Sequence, residues 1–204
     1  MRLDALFEGA LLRKGRIVAV TNHGAPRGRV VRIDPADHAP DRWETLVPEG
    51  AQSLKSLLAV KGGLVTLTLD RAVSRMQVRD HDGKQLAEVA LPGVGSVNGA
   101  DARMDSDRVV VEWSSFTSPP RLLSVDTSKA GAPVGTLVDV KTDLRLDDVA
   151  VEQTEYRSYD GTRVPMFLVH SKAMKRDGSN ATLLTGYGGF NVPITPGFSR
   201  RYLW

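Results

Sequence analysis

One pattern recurs three times in this sequence at a fixed spacing. An arginine is followed by a short run in which apolar residues alternate, and an aspartate stands five positions after the arginine. The copies are residues 29–34 (RVVRID), 75–80 (RMQVRD) and 121–126 (RLLSVD), each beginning 46 residues after the one before it. A period of this length indicates that the chain is assembled from a repeated supersecondary unit.

Each copy of the repeat is flanked by other short runs that favour β-strands. The preceding runs are residues 16–20, 64–69 and 108–113; the following runs are residues 44–47, 86–91 and 136–140, and residues 54–60 add a strand before the second copy. These runs are rich in Val, Ile, Leu and Thr, which suit a pleated, half-buried surface. Asp82-Gly83 predicts a tight hairpin turn, because both residues tolerate the positive φ that such a turn requires.

Four short strands in 40–50 residues are typical of one β-propeller blade. A single antiparallel sandwich is the alternative, since it also needs short strands with regular turns. The fixed phase favours the propeller, so residues 1–148 are predicted to form about three blades of a partial β-propeller. Closed propellers usually carry four to eight blades, and an open arc leaves unpaired strand edges. We therefore expect further sequence to complete the propeller.

The phase of the repeat breaks near residue 150. Residues 149–158 and 164–170 read as two strands joined by a turn at residues 159–162, and a polar loop covers residues 174–180. Residues 181–185 (ATLLT) then predict a buried strand that leads into the glycine-rich segment 186–191 (GYGGFN). This order is typical of the start of an α/β-hydrolase sheet, in which a loop after the third strand helps to form the oxyanion hole. The alternative is an ordinary glycine-rich turn with two core aromatics.

At these residues the sequence resembles the prolyl oligopeptidase family of serine peptidases. The strongest stretch, residues 152–204, contains YDGTRVPMF at 159–167, DGSN at 177–180 and YGGFN at 187–191. Upstream, SSFTSPP at 114–120 resembles the last propeller blade of the family. The resemblance implies a seven-bladed propeller on an α/β-hydrolase domain, with residues 149–204 forming the incomplete start of that domain. It also implies hydrolysis of short peptides on the carboxyl side of proline, with Tyr187 stabilising the oxyanion and Phe190 binding substrate.

The nucleophile that this chemistry requires is absent from the sequence. No Gly-x-Ser-x-Gly motif occurs, and in this fold the Ser, Asp and His of the triad follow the oxyanion loop. The histidines at positions 23, 38, 81 and 170 come before that loop, so none is assigned as the catalytic base. We expect the triad to lie beyond residue 204 and the chain alone to be inactive. The alternative hypothesis is a non-catalytic, propeller-like binding module.

Charge and composition argue against several other functions. The 27 basic and 24 acidic residues leave a net charge of +3, and the arginines are spread singly, whereas nucleic-acid binding favours clusters. No apolar run reaches the ~20 residues of a membrane helix. The chain has no cysteine, which excludes disulfides and thiolate metal sites. We expect a cytoplasmic protein that is a monomer when complete, with short proline-containing peptides as partners and no nucleic acid, membrane, metal or cofactor.

Three minor features receive structural interpretations. Gly93, Gly95 and Gly99 superficially resemble a dinucleotide fingerprint, but without a following helical pattern they are interpreted as a loop between blades. The acidic turn at residues 80–83 lacks the glutamate that a calcium loop needs at its twelfth position. The tryptophans at positions 43, 113 and 204 are predicted to be packing residues.

Overall fold

Strands account for nearly all of the regular structure. The computed structural model describes residues 5–190 and 192–202, so Asn191 of the glycine-rich segment and the predicted packing residue Trp204 lie outside the described residues. The strands are β1 (Phe7–Arg13), β2 (Arg16–Thr21), β3 (Arg29–Ile33), β4 (Glu44–Val47), β5 (Ser53–Val60), β6 (Gly63–Asp70), β7 (Val73–Arg79), β8 (Gln85–Glu88), β9 (Ser96–Ala102), β10 (Arg108–Ser115), β11 (Ser118–Asp126), β12 (Val134–Asp139), β13 (Val149–Arg157) and β14 (Arg163–Ser171). Short 3-10 helices span Pro40–Arg42 and Arg200–Tyr202.

The first twelve strands form three four-stranded sheets, and each sheet is contiguous in sequence. The sheets run β1–β4, β5–β8 and β9–β12 in sequential order, with antiparallel pairing throughout. Each copy of the 46-residue repeat forms the third strand of a sheet. The predicted unit of four strands is therefore confirmed, and we refer to the three sheets as blades 1, 2 and 3.

The arginine of the repeat links the third strand of each blade to the fourth. In every blade its guanidinium contacts an oxygen on the outer strand: Arg29 and Thr45 Oγ1 at 3.1 Å, Arg75 and Glu88 Oε1 at 3.9 Å, and Arg121 and Asp139 Oδ1 at 2.8 Å. The outer strand of a blade has only one neighbour. A polar contact across that pair therefore strengthens the pairing of an edge strand.

The aspartate of the repeat begins the turn that follows the third strand. Its Oδ1 accepts the backbone N–H two residues later in all three blades: Asp34 from Ala36 at 2.9 Å, Asp80 from Asp82 at 3.0 Å, and Asp126 from Ser128 at 3.2 Å. Aspartate favours such turns because its short side chain reaches its own backbone. The two ends of the sequence pattern thus have separate structural roles within a blade.

The apolar cores lie between blades. One cluster joins blades 1 and 2, and includes Val30, Leu57 and Leu64. The other joins blades 2 and 3, and includes Val65 and Trp113. Alternate side chains of β6 point to opposite faces of the sheet, so this strand contributes to both clusters and is buried from Gly63 to Thr68.

Close packing makes one interblade turn specific to glycine. Gly83, in the predicted hairpin turn between β7 and β8, has a φ of +89°, and a Cβ there would lie 2.2 Å from the carbonyl oxygen of Leu46 in blade 1. The turn that the sequence predicted from Asp82-Gly83 is therefore confirmed. Its glycine is needed both for the positive φ and for the approach of blade 2 to blade 1.

Three features differ from the sequence-based expectations. The strand β1 was not predicted. Most of the segment interpreted as an interblade loop is the strand β9, which begins at Ser96 and includes Gly99; only Gly93 and Gly95 precede it. Residues 181–185 form no strand, and Leu183 and Leu184 are exposed. A buried strand needs partners for its backbone N–H and C=O groups. Within the described residues no strand pairs with residues 181–185.

The strands β13 and β14 form a separate two-stranded sheet. Their register runs without a bulge from Val149 opposite Ser171 to Arg157 opposite Arg163. The turn at residues 159–162 is as predicted, with Gly161 at a φ of +86°. Gln153 Nε2 donates to the backbone carbonyl of Arg71 at 2.5 Å. A side chain of the hairpin is therefore bound to the main chain of blade 2.

Candidate functional site

The turns between the second and third strands of the blades mark one face of the molecule. The turn of blade 2 contains Arg71, whose carbonyl accepts from Gln153 of the hairpin. The turn of blade 3 contains Phe116, whose ring lies 5.3 Å from that of Phe167 on β14. Because the hairpin contacts two of these turns, it lies over this face, which we refer to as the hairpin face.

The glycine-rich segment lies on the same side. Gly188 has a φ of +67° and Phe190 a φ of +50°. The second value is unusual for a residue with a bulky side chain and costs ~1 kcal/mol or more. Tyr187, which stands between Gly186 and Gly188, is 58% exposed, and Phe190 is 92% exposed. Neither ring is buried within the described residues, so the alternative interpretation of two core aromatics does not hold there.

A cavity of about 730 Å³ separates this segment from blades 1 and 2. Gly188, Gly189 and Phe190 form one side of it. Apolar side chains of the blades form part of the opposite wall, among them Val20, Leu54 and Leu69. Tyr187 does not line the cavity. The structure thus brings one of the two predicted site residues, Phe190, to this wall and leaves Tyr187 outside it.

Charged residues that sequence reasoning did not assign to a site also line the cavity. They are Glu8 on β1, Arg27 in the loop between β2 and β3, Lys55 on β5, and Arg71 in the turn between β6 and β7. These residues are far apart in sequence and follow no motif. Only the side-by-side arrangement of blades 1 and 2 brings them together, so no pattern in the sequence indicated them.

A second polar cluster lies on the hairpin. His170 Nε2 is 3.0 Å from Glu152 Oε1, and Arg176 donates to the same oxygen at 2.5 Å. A hydrogen bond with the carbonyl of Ser171, followed by the contact with Glu152, raises the pKa of His170. The donors Arg176 and His170 lower the pKa of Glu152. The cluster joins both strands to the polar loop that follows them and stabilises the hairpin.

Residues 5–190 and 192–202 contain neither a candidate metal site nor a candidate membrane-spanning helix. Within those ranges no three His, Asp or Glu side chains are grouped so that they could hold a metal ion. The same residues include no helix with the length and apolar character needed to cross a bilayer. Among these residues His23 belongs to no such group. Its ring makes an edge contact with Trp43, and the ring centroids lie 5.6 Å apart.

The propeller-domain family matches most of the chain. Residues 2–134 match the family described as the prolyl oligopeptidase N-terminal beta-propeller domain. This finding confirms the predicted propeller over the alternative sandwich. The match extends over the three blades as far as the first residue of β12.

Curated relatives and solved structures agree with this result. The chain is 29% identical over 180 residues to a prolyl endopeptidase of Elizabethkingia miricola, covering 88% of this chain and 25% of the relative. It is 33% identical over 198 residues to prolyl oligopeptidase A of Galerina marginata, covering 95% and 26%. The chain therefore spans about a quarter of the length of these relatives.

Structural similarity covers nearly the entire chain. A solved prolyl endopeptidase, studied for the role of inter-domain dynamics in catalysis and specificity, superposes with a TM-score of 0.91 and 38% identity, covering 99% of this chain and 30% of that one. Prolyl oligopeptidase B of Galerina marginata, bound to a 35-residue hydrolysis and macrocyclization substrate, gives a TM-score of 0.89 at 25% identity, covering 100% and 29%. From sequence and fold together, the chain belongs to the prolyl oligopeptidase family.

Proposed function

We propose that this chain is the last part of the propeller and the start of the catalytic domain of a prolyl oligopeptidase-type serine peptidase. In this proposal residues 1–148 form the propeller portion and residues 149–204 begin the α/β-hydrolase domain. The substrates are short peptides, hydrolysed on the carboxyl side of proline. The catalytic Ser, Asp and His are supplied by sequence outside these 204 residues.

The observation that carries this proposal is the glycine-rich segment held over the hairpin face. Phe190 lines a cavity large enough for several residues of a peptide, and Tyr187 is exposed in the same segment. The separate β13–β14 sheet and the fold similarity over nearly the full chain support the assignment of residues 149–204.

Tyr187 acts in the proposed mechanism as an oxyanion donor. When the serine attacks the carbonyl carbon of the proline residue, the carbonyl oxygen becomes negatively charged. The Tyr187 hydroxyl donates a hydrogen bond to that oxygen, and such donors stabilise the transition state more than the substrate. Phe190 packs against the apolar part of the bound peptide.

The test uses the complete enzyme and a chromogenic Gly-Pro substrate. Tyr187→Phe removes only the hydroxyl, so we expect kcat to fall by about 10²–10³-fold with little change in KM. Tyr159→Phe is the matched control, because this fully exposed tyrosine lies in the turn of the hairpin. An unchanged kcat in Tyr187→Phe contradicts the assignment.

The location of the triad is tested separately. The purified 204-residue chain is expected to give no turnover of the same substrate. Turnover that a serine-reactive phosphonate blocks would place a nucleophile within these residues and overturn the proposal. Reading the coding sequence downstream of residue 204 for an in-frame Gly-x-Ser-x-Gly motif gives an independent answer.

A further inference from the structure

The cavity beneath the glycine-rich segment carries an excess of positive charge. Arg27, Lys55 and Arg71 line it together with one acidic side chain, Glu8. Across the described ranges neither the Arg27 guanidinium nor the Lys55 ammonium forms an ion pair with a carboxylate. Arg71 makes only a long contact, with its Nε 3.7 Å from Asp70 Oδ1.

The neighbours of Arg27 leave its side chain free to meet a ligand. Its backbone N–H donates to Glu49 Oε1 at 2.6 Å, and its carbonyl accepts from Leu54 N at 2.7 Å. The main chain of Arg27 is therefore fixed between blades 1 and 2. The exposed guanidinium extends from a rigid attachment, which lowers the entropy cost of binding an anion.

A break in the register of β5 accounts for the position of Lys55. Leu54 pairs with Thr68 and Ser56 pairs with Leu67, so Lys55 is an extra residue in this strand. Bulges of this kind change the direction of a side chain. The first strand of blade 3 also carries an extra residue, Asn98, but its amide donates within the blade to Ser114 Oγ at 2.9 Å. In blade 2 the extra residue is instead a lysine on the cavity wall.

We infer that this cavity binds a carboxylate of the peptide substrate through Arg27 and Lys55. The inference rests on the proposed function, because it assumes that peptides occupy the space next to Phe190. The carboxylate is either an Asp or Glu side chain of the peptide or its C-terminal group. In both cases Arg27 and Lys55 favour peptides that carry a carboxylate at a position other than the proline.

The test measures the binding of short N-acetylated alanine peptides with one central proline to the 204-residue chain by isothermal titration calorimetry at low salt. One pair of amidated peptides differs only by Asp in place of Asn. A second pair carries Asn and ends in a free carboxylate or an amide. We expect the anionic member of one pair to bind about fivefold tighter than its neutral partner, and the Asp–Asn or acid–amide difference then identifies the source of the carboxylate.

Variants connect that preference to the two cations. In the Arg27→Gln, Lys55→Gln double variant we expect the anionic and neutral peptides to bind equally. Arg42→Gln, which removes an exposed arginine that does not line the cavity, keeps the preference. Salt of about 0.5 M is expected to reduce it, because the charges are accessible to solvent. Circular dichroism melts show that each variant remains folded.

The inference is overturned if the two members of each pair bind the unmodified chain with equal affinity, or if neither binds. It is also overturned if the double variant still prefers the anionic peptide. Its failure is distinct from failure of the proposed function. Binding of neutral proline peptides without any effect of charge leaves the peptidase proposal intact. A charge preference together with full activity of Tyr187→Phe contradicts the oxyanion assignment alone.

Discussion

The Arg13 guanidinium lies 2.5 Å from Nε2 of His81, across 68 positions in sequence. Arg13 ends β1 in blade 1, and His81 stands in the turn between β7 and β8 of blade 2. The same turn carries Asp82, which pairs with Arg32 of blade 1 at 2.8 Å. This turn therefore joins the two blades on the side opposite the hairpin face.

The contact with Arg13 requires neutral His81 and should make stability depend on pH. Burial and the positive charges of Arg13 and Lys14 lower the pKa of His81, while the Lys61 backbone and Asp80 oppose them. As the pH falls, His81 is therefore protonated in the unfolded chain before it is protonated in the folded chain. The contribution of neutral His81 is present above the ordinary histidine pKa of ~6.5 and is lost as the pH falls below it.

Urea unfolding at about pH 7.5 and pH 5 tests this expectation. The free energy of unfolding of the unmodified chain should decrease more between these pH values than that of His81→Gln, since glutamine still accepts from Arg13 but does not titrate. His38→Gln removes an exposed histidine and serves as control. Equal pH dependence in the chain and in His81→Gln contradicts the prediction.

Gly83→Ala should be strongly destabilising because of its contact with blade 1. The alanine would have to adopt a positive φ, and its Cβ would lie 2.2 Å from Leu46 O. We therefore expect the free energy of unfolding to fall by about 3 kcal/mol. Gly161→Ala isolates the effect of φ, since its φ is +86° and no atom lies within 4 Å of the added Cβ. That variant should lose only ~1 kcal/mol. Similar urea midpoints for both variants contradict the close approach of the blades.

The aspartate of the repeat can be tested at Asp80, which caps the turn that joins the blades. Its Oδ1 accepts the N–H groups of Asp82 at 3.0 Å and Lys84 at 2.9 Å. Asp80→Ala leaves both donors without this acceptor and should cost about 1 kcal/mol. Asp80→Asn keeps a carbonyl oxygen and should cost less than ~0.5 kcal/mol. The comparison, made by thermal or urea unfolding, fails if Asn is as destabilising as Ala.

The hairpin cluster makes a prediction about a pKa rather than about stability. His170 should titrate above the ordinary histidine value, as followed by the imidazole resonances in NMR. Glu152→Gln removes the facing carboxylate and should lower the pKa of His170. Arg176→Gln should raise it, because Arg176 is a nearby positive charge. Shifts of the same sign in the two variants would falsify this arrangement.

The repeat was sufficient to predict the number of blades and one strand of each. The pattern is visible because it is local. Each copy begins with an arginine (Arg29, Arg75 or Arg121) that contacts the fourth strand, and the aspartate that forms the turn always follows five positions later. The strand β9 was missed because SVNGADA contains a glycine and an aspartate and shows little alternation. It becomes a strand because β10 offers it a paired edge, a tertiary effect that overrides propensity.

The candidate site could be predicted only in part, for the same physical reason. Tyr187 and Phe190 lie in a compact motif, which is visible in sequence. Arg27 and Lys55 reach the cavity through a loop anchored on Leu54 and through a bulge within β5. Both effects depend on how two blades pack, so neither leaves a signal in the local sequence. The run at residues 181–185 shows the opposite error, since its apolar composition indicated burial without a partner strand.

The contiguity of each sheet has a consequence for synthesis on the ribosome. All four strands of blade 1 are available once Val47 has been made, so this sheet can pair without waiting for distant sequence. Its apolar face is then covered by Leu57, Ala59 and Leu64 as the next blade emerges. Pairing between near neighbours in sequence is fast because only short loops need to close. The chain is thus suited to vectorial folding, in which each blade provides the surface on which the following one is built.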